Sequence, residues 1–112
     1  MAVSVLDVDA TTYSKGLTTV IVVAGHIRVA AADRGAFLDL SRQAVELARE
    51  ADGCVDFAVS ADLADPERVN IYERWVGRGA LEAFRGNGPG GDLSALIVSA
   101  DVREFDVRLR QS

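Results

Sequence analysis

The chain has 112 residues, the usual span of a single domain and too few for two independent cores. With 49% apolar and 26% charged residues it lies far from the low-hydrophobicity, high-charge composition of disordered chains. A net charge of −5, with arginines interleaved among acids as in Arg103-Glu104 and Asp106-Val107-Arg108, excludes the basic face that binding to nucleic acid or an anionic membrane requires.

Residues 1–18 show weak alternation in Val3, Val5, Leu6 and Val8 before the polar stretch Asp9 to Lys15, and read as an arm or an added edge strand. They lack a basic start followed by an apolar segment, so no secretory signal is expected. Val20 to Val29 is rich in β-branched residues and is the first clear strand. Its apolar core, Val20 to Ala24, is far shorter than the roughly 20 residues that span a bilayer. Asp33 is placed to cap a helix whose Phe37, Leu40, Ala44, Leu47 and Ala51 recur at steps of three and four. Asp52-Gly53 ends it, since glycine takes the positive φ that often follows a helix.

Val55, Phe57 and Val59 alternate with Asp56, Ala58 and Ser60, the two-residue period of a strand with one buried face. After a polar turn around Asp65-Pro66, Val69 to Val76 alternates again, with Ile71, Glu73 and Trp75 on one face and Asn70, Tyr72 and Arg74 on the other. Ala80, Leu81 and Phe84 predict a short helix broken by Gly86-Asn87-Gly88-Pro89-Gly90-Gly91. Asp92 then caps a second short helix with Leu93, Leu96 and Ile97 as its stripe. Asp101 to Leu109 closes the chain as a strand with Phe105, Val107 and Leu109 on one side. Cys54 is the single cysteine, so no intrachain disulfide can form, and a reducing, cytoplasmic setting fits.

Residues 19–110 therefore predict one α+β domain of the ferredoxin-like βαββαβ kind, an antiparallel sheet with both helices on one face. The other face needs a cover, because Val20–Val29 is apolar on both sides. A second copy of the chain, sheet against sheet, would supply it as a homodimer, leaving a pocket in each subunit between sheet and helices.

Gly53-Cys54-Val55-Asp56-Phe57, Asp62-Leu63-Ala64-Asp65-Pro66, Tyr72-Glu73-Arg74-Trp75 and Ala80-Leu81-Glu82-Ala83, in that order, resemble the antibiotic biosynthesis monooxygenase family, over about residues 20 to 109. The resemblance implies a dimeric α/β barrel and the oxygenation of an aromatic or quinol-like small molecule by O₂ with no flavin, metal or other cofactor. It also implies that Trp75 lines the cavity. A related branch binds and degrades haem, and other relatives have no established chemistry, so a non-catalytic binding or structural dimer is the alternative. Many members carry a histidine where Phe84 stands, which removes a polar group from the pocket and disfavours haem. The glycine-rich run is unlike the family's shorter helical continuation. It also lacks the preceding strand and following Lys-Ser/Thr of a nucleotide cradle.

Such an oxygenase needs a base to make an electron-rich anion, flat apolar walls, and a donor or cation for the charge. His26, the single histidine, is the first candidate base by its ordinary pKa, provided that its face of the first strand looks at the helices. The bland reading is a histidine near a strand end bonding to solvent or backbone. Glu73 is the second candidate base if burial raises its pKa, whereas an ion pair with an arginine, the favoured reading, would make it structural. Trp75, Phe84, Phe37 and Phe57 would be the aromatic walls, or plain core. Cys54 has no nearby charge in sequence to activate it and reads as a small buried apolar residue.

Overall fold

The computed structural model describes residues 19–87 and 91–110. The proposed arm or edge strand at 1–18, the middle of the glycine-rich run at 88–90 and the capping side chain of Asp92 lie outside the described residues. The elements are β1 (Thr19–Val29), a short 3₁₀ turn (Ala31–Asp33), α1 (Arg34–Glu50), β2 (Cys54–Ala61), β3 (Arg68–Trp75), α2 (Arg78–Asn87), α3 (Gly91–Leu96) and β4 (Ile97–Arg108). The four strands form one sheet in the order β2-β3-β1-β4, every neighbouring pair antiparallel. This is the expected ferredoxin-like arrangement.

Strand alternation divides the sheet into two unlike faces. Ile21, Val23, Ile27 and Val29 of β1 point to the helices and enter two buried clusters. In one, Ile21 and Val23 meet Phe57, Trp75, Ala48 and Leu81 beneath the C-terminal half of α1 and α2. In the other, Ile27 and Val29 meet Phe37 and Val69, with Leu93 and Leu96 of α3 packed against them. The opposite face carries Val22, Ala24, His26 and Arg28, whose register partners are Arg74, Tyr72, Asn70 and Arg68 on β3 and Phe105, Arg103, Asp101 and Ser99 on β4. Among the described residues no helix covers this face, and Phe105 is 47% exposed there.

Four local expectations are corrected. The buried stripe of α1 is Phe37, Ser41, Ala44 and Ala48, so Leu40 and Leu47 stay 45% exposed. Small residues at 41, 44 and 48 let the helix lie close to the sheet, and the one buried hydroxyl is satisfied because Ser41 Oγ donates to the Phe37 carbonyl at 2.8 Å. Asp33 does not cap α1 with its side chain; it closes the 3₁₀ turn through its backbone N–H to Ala30 O at 2.8 Å. The last strand begins at Ile97, four residues earlier than the alternation of 101–109 suggests, so Ile97 pairs with Val29 instead of extending the helix stripe. Gly86 and Asn87 are likewise still helical.

The turn between β2 and β3 is fastened to the start of α1. The Arg34 guanidinium donates to the Asp65 carbonyl at 2.8 Å, with Asp62 O and Arg68 O each at 3.4 Å. Asp62 in turn accepts from the backbone N–H groups of Ala64 and Asp65 and from Asn70 Nδ2. These bonds hold its carboxyl below the usual carboxylate range.

Gly25 is the tightest point of the sheet. Its φ is +150°, and a Cβ there would fall onto the carbonyl oxygen of Asp101 and within 2.8 Å of Val102 Cα, both backbone atoms of β4 that cannot step aside. Gly25→Ala is expected to destabilise the domain by about 3 kcal/mol or more, through forced displacement of β4. Gly35→Ala, on an open helical position with nothing within 4 Å, is expected to add about 0.5–1 kcal/mol. Urea unfolding of the two variants checks both signs, and a neutral Gly25→Ala would contradict the close approach.

Candidate functional site

The site grows from the alternation of β3. Trp75 and Glu73 share the helix-facing side, and the register sets Glu73 in one row with Val23 of β1 and Phe57 of β2. Glu104 of β4 lies just beyond Val23 in that row. Trp75 is fully buried. Its indole N–H must therefore find an acceptor inside the protein, and it donates to Glu73 Oε1 at 2.9 Å.

Aromatic rings close around this bond. Phe57 meets Trp75 edge-on at 6.4 Å between centroids, Phe84 meets Phe57 at 5.8 Å, and Phe84 lies over Trp75 at 5.4 Å with the planes tilted by 34°. Phe84 reaches the trio from α2. That helix is seated by fully buried Leu81 and by Ala80, whose Cβ stands 2.5 Å from where a Cβ on Gly53 would be. Gly53 has φ +83°, so glycine is required there both by the backbone and by the helix pressed against it.

Burial pushes the Glu73 carboxyl above its ordinary value, and the nearby charge of Glu104 pushes the same way. The Trp75 hydrogen bond and the charge of Arg85 oppose them without cancelling the shift. Glu104 is itself gripped by two guanidiniums of α2: Arg78 Nη1 lies 2.8 Å from Oε1 and Arg85 Nη1 lies 2.7 Å from Oε2. Those bonds hold the Glu104 carboxyl below its usual range. Two carboxylates in one row are thus driven apart in acidity, one kept ionised and one biased to hold a proton.

Of the residues singled out in the sequence, the fold brings together Glu73, Trp75, Phe57 and Phe84. Phe37 belongs to the other buried cluster, with Ile27, Val29 and Val69. His26 lies on the uncovered face, between Asn70 and Asp101, so the condition set for its role as base in the helix-side pocket is not met. In place of an ion pair with an arginine, the direct partner of Glu73 is the Trp75 indole, while Arg78 and Arg85 pair with Glu104. Glu104, Arg78 and Arg85 escaped the sequence reading as parts of a solvated mixed surface. Two signals were available: Glu104 alternates to the face opposite Phe105, and Arg78 and Arg85 are seven residues, two helical turns, apart.

Cys54 adjoins the site, and burial pushes its thiol up, with Asp56 and Glu73 adding to the effect, so it behaves as an inert apolar neighbour. A separate groove of about 390 Å³ runs between α1 and the edge of β2, lined by Leu38, Arg42, Val45, Arg49 and Val59 among others. There Arg49 Nε donates to the outward-facing Phe57 carbonyl at 2.9 Å, covering part of the exposed strand edge. Among the described residues, no group of three or more His, Cys, Asp and Glu gathers that could hold a metal ion. No helix there is long and apolar enough to cross a membrane.

Comparison with known proteins gives a consistent picture. The family model described as antibiotic biosynthesis monooxygenase matches residues 20–89. An uncharacterized protein from Synechocystis sp. is 32% identical over 68 residues, which are 61% of this chain and 46% of that protein, so the chain spans about half the length of this relative. Among solved structures, a conserved protein from Methanosarcina mazei superposes with a TM-score of 0.64 at 22% identity, covering 88% of this chain and 99% of that one. A candidate antibiotic biosynthesis monooxygenase from Deinococcus radiodurans gives a TM-score of 0.66 at 18% identity, covering 83% and 96%. At these identities the structural matches establish the fold.

The raised pKa of Glu73 has a consequence for stability whose sign is fixed. The native state holds the Glu73 proton to higher pH than the unfolded chain does, so this group withdraws stability as pH rises from the ordinary glutamate range through the raised native value. Glu73→Gln keeps an oxygen for the Trp75 indole and removes the ionisation. It is expected to be more stable than the parent at neutral pH, with the gap closing as pH falls below the ordinary glutamate range. Thermal unfolding across that range reads it, and a variant less stable at neutral than at acid pH, relative to the parent, would contradict the burial of an ionising carboxyl.

Proposed function

The chain belongs to the antibiotic biosynthesis monooxygenase family, and from that premise we propose that it oxidises a flat aromatic or quinol-like small molecule with O₂, using Glu73 as the base. The observation that carries this reading is the carboxyl of Glu73, desolvated beneath α2 yet fixed by the Trp75 indole at 2.9 Å. A base works best when its pKa approaches the working pH, and burial moves Glu73 in that direction. Phe84, partly exposed and backed by buried Trp75 and Phe57, supplies a flat apolar wall at one end of the same row.

The chemistry follows from the substrate. Glu73 takes the proton from an acidic hydroxyl or from an activated methylene carbon beside an aromatic ring, leaving a delocalised anion rich enough in electrons to reduce O₂. At an activated methylene, the carbon loses both hydrogens and gains one oxygen atom as C=O, while the second oxygen leaves as water. All four electrons that O₂ takes up come from the substrate, so the balance needs no other reductant. The family relationship supports an oxidoreductase role, and the site supports proton abstraction as its first step.

In the same reading the chain works as a homodimer, joined through the uncovered sheet face where Val22, Ala24, Tyr72 and half-exposed Phe105 offer apolar area. His26 then lies in the interface and not at the reacting centre. A binding module without turnover is the second reading, favoured by the all-carbon side chain of Phe84 where a polar group would assist chemistry.

Oxygen uptake by the purified protein over a panel of anthrones and hydroquinones tests the proposal. Glu73→Gln is expected to lower turnover by about a hundredfold or more, the usual loss when a general base is removed, while His26→Ala retains it. The reverse pattern would move the base to the open face, and no uptake with any member of the panel would favour the binding module.

A further inference from the structure

The ion pairs around Glu104 are unequal. Arg78, at the start of α2, has Asp106 and Glu82 beside it as well as Glu104, so its charge stays compensated whatever happens at the site. Arg85, in the last turn of the same helix, is bonded to Glu104 on one side, and its charge reaches Glu73 on the other. About half of each arginine side chain is exposed, whereas Glu73 behind them is partly buried. Glu104 can therefore remain held by Arg78 if Arg85 turns away.

We infer that Arg85 is the group that receives the substrate's negative charge: a neutral acidic hydroxyl enters against Phe84, gives its proton to Glu73, and its oxyanion takes the guanidinium that Glu104 holds at rest. The inference rests on the reading of Glu73 as proton acceptor. It follows from the charges at each stage. With Glu73 ionised, Arg85 faces an anion in Glu73. Once Glu73 is neutral, that charge is gone, and Arg85 is left with Glu104, which Arg78 also holds. Proton transfer moves the negative charge from the carboxyl to the substrate oxygen, and the guanidinium, planar and with several donors, can follow it by a side-chain rotation. The exchange requires a substrate that enters uncharged. A molecule entering as a carboxylate would meet Glu73 and Glu104 with Arg85 already engaged.

The test is an equilibrium one and needs no turnover. 4-Nitrophenol is colourless as the phenol and yellow as the anion, so its absorbance on titration with protein, near the pH at which the free dye is half ionised, reports both affinity and the charge state of the bound form. The parent is expected to bind the dye and increase its ionised fraction. Arg85→Gln is expected to weaken binding of the anion about tenfold, the scale of one charge-assisted hydrogen bond, and to lose the added colour, with Arg85→Lys restoring most of it. Glu104→Gln releases Arg85 and is expected to act in the opposite direction, strengthening the anion's binding. A clamp that merely holds α2 on β4 predicts the same sign for Arg85→Gln and Glu104→Gln, since the first breaks one of the ion pairs to Glu104 and the second breaks both. Equal signs, or a parent protein that leaves the dye's ionisation unchanged, would overturn the inference. Dye ionisation behaving as stated in a protein that consumes no O₂ would uphold Arg85 while refuting the oxygenase.

Discussion

The hydrogen bond from the Trp75 indole to Glu73 is the contact on which the rest of the site depends. A tryptophan with no exposed surface cannot leave its N–H unpaired without a penalty of about 1–3 kcal/mol, and a strand offers it the side chain two residues away on the same face. That choice of acceptor draws a carboxylate under a helix, where desolvation resists its ionisation. The cost of placing it there is the origin of its basicity. The aromatic packing has the same root, since Phe57 and Phe84 find their positions against the ring that the hydrogen bond orients.

Around this contact the sheet separates two functions. Its helix side holds the apolar clusters and the titratable row Phe57, Glu73, Val23 and Glu104. Its other side carries an alternation of small apolar residues and hydrogen-bonding groups with no helix above them among the described residues. Gly25 lies one helix-facing position on from Val23, where the β4 backbone at Asp101 and Val102 comes so close that only a residue without Cβ permits the approach. Helix α2 is placed by three independent devices: Leu81 in the core, Ala80 against Gly53, and the double ion pair of Arg78 and Arg85 to Glu104. The first two are insensitive to pH and salt, and the third is exposed and adjustable. A rigid wall and an adjustable charge thus share a single ten-residue helix.

Much of this was legible in the residues themselves. The two-residue period of 69–76 assigns Glu73 and Trp75 to one face and Tyr72 and Asn70 to the other, and the order of strands and helices leads to the sheet that is found. What the periodicity could not show is which face of β1 meets the helices, because Val20 to Ala24 is apolar on both, and so His26 could be assigned to either side. The α1 stripe was misplaced for a related reason: leucines at 40 and 47 outweigh Ser41 and Ala48 on any hydropathy count, yet close approach of helix and sheet favours the small residues. Arg85 and Glu104 are 19 residues apart and meet only through the register of β4, which no local pattern encodes.

The central claim is that Glu73 is a carboxyl held proton-ready by burial and restrained by one indole. A carbon-detected NMR titration of the Glu73 side chain addresses it directly, with Trp75→Phe measured beside the parent. The account predicts a midpoint above the ordinary glutamate range in the parent and higher still in Trp75→Phe, because the lost hydrogen bond had favoured the ionised form. A parent midpoint at or below the ordinary value, or a fall on removing the indole, would contradict it.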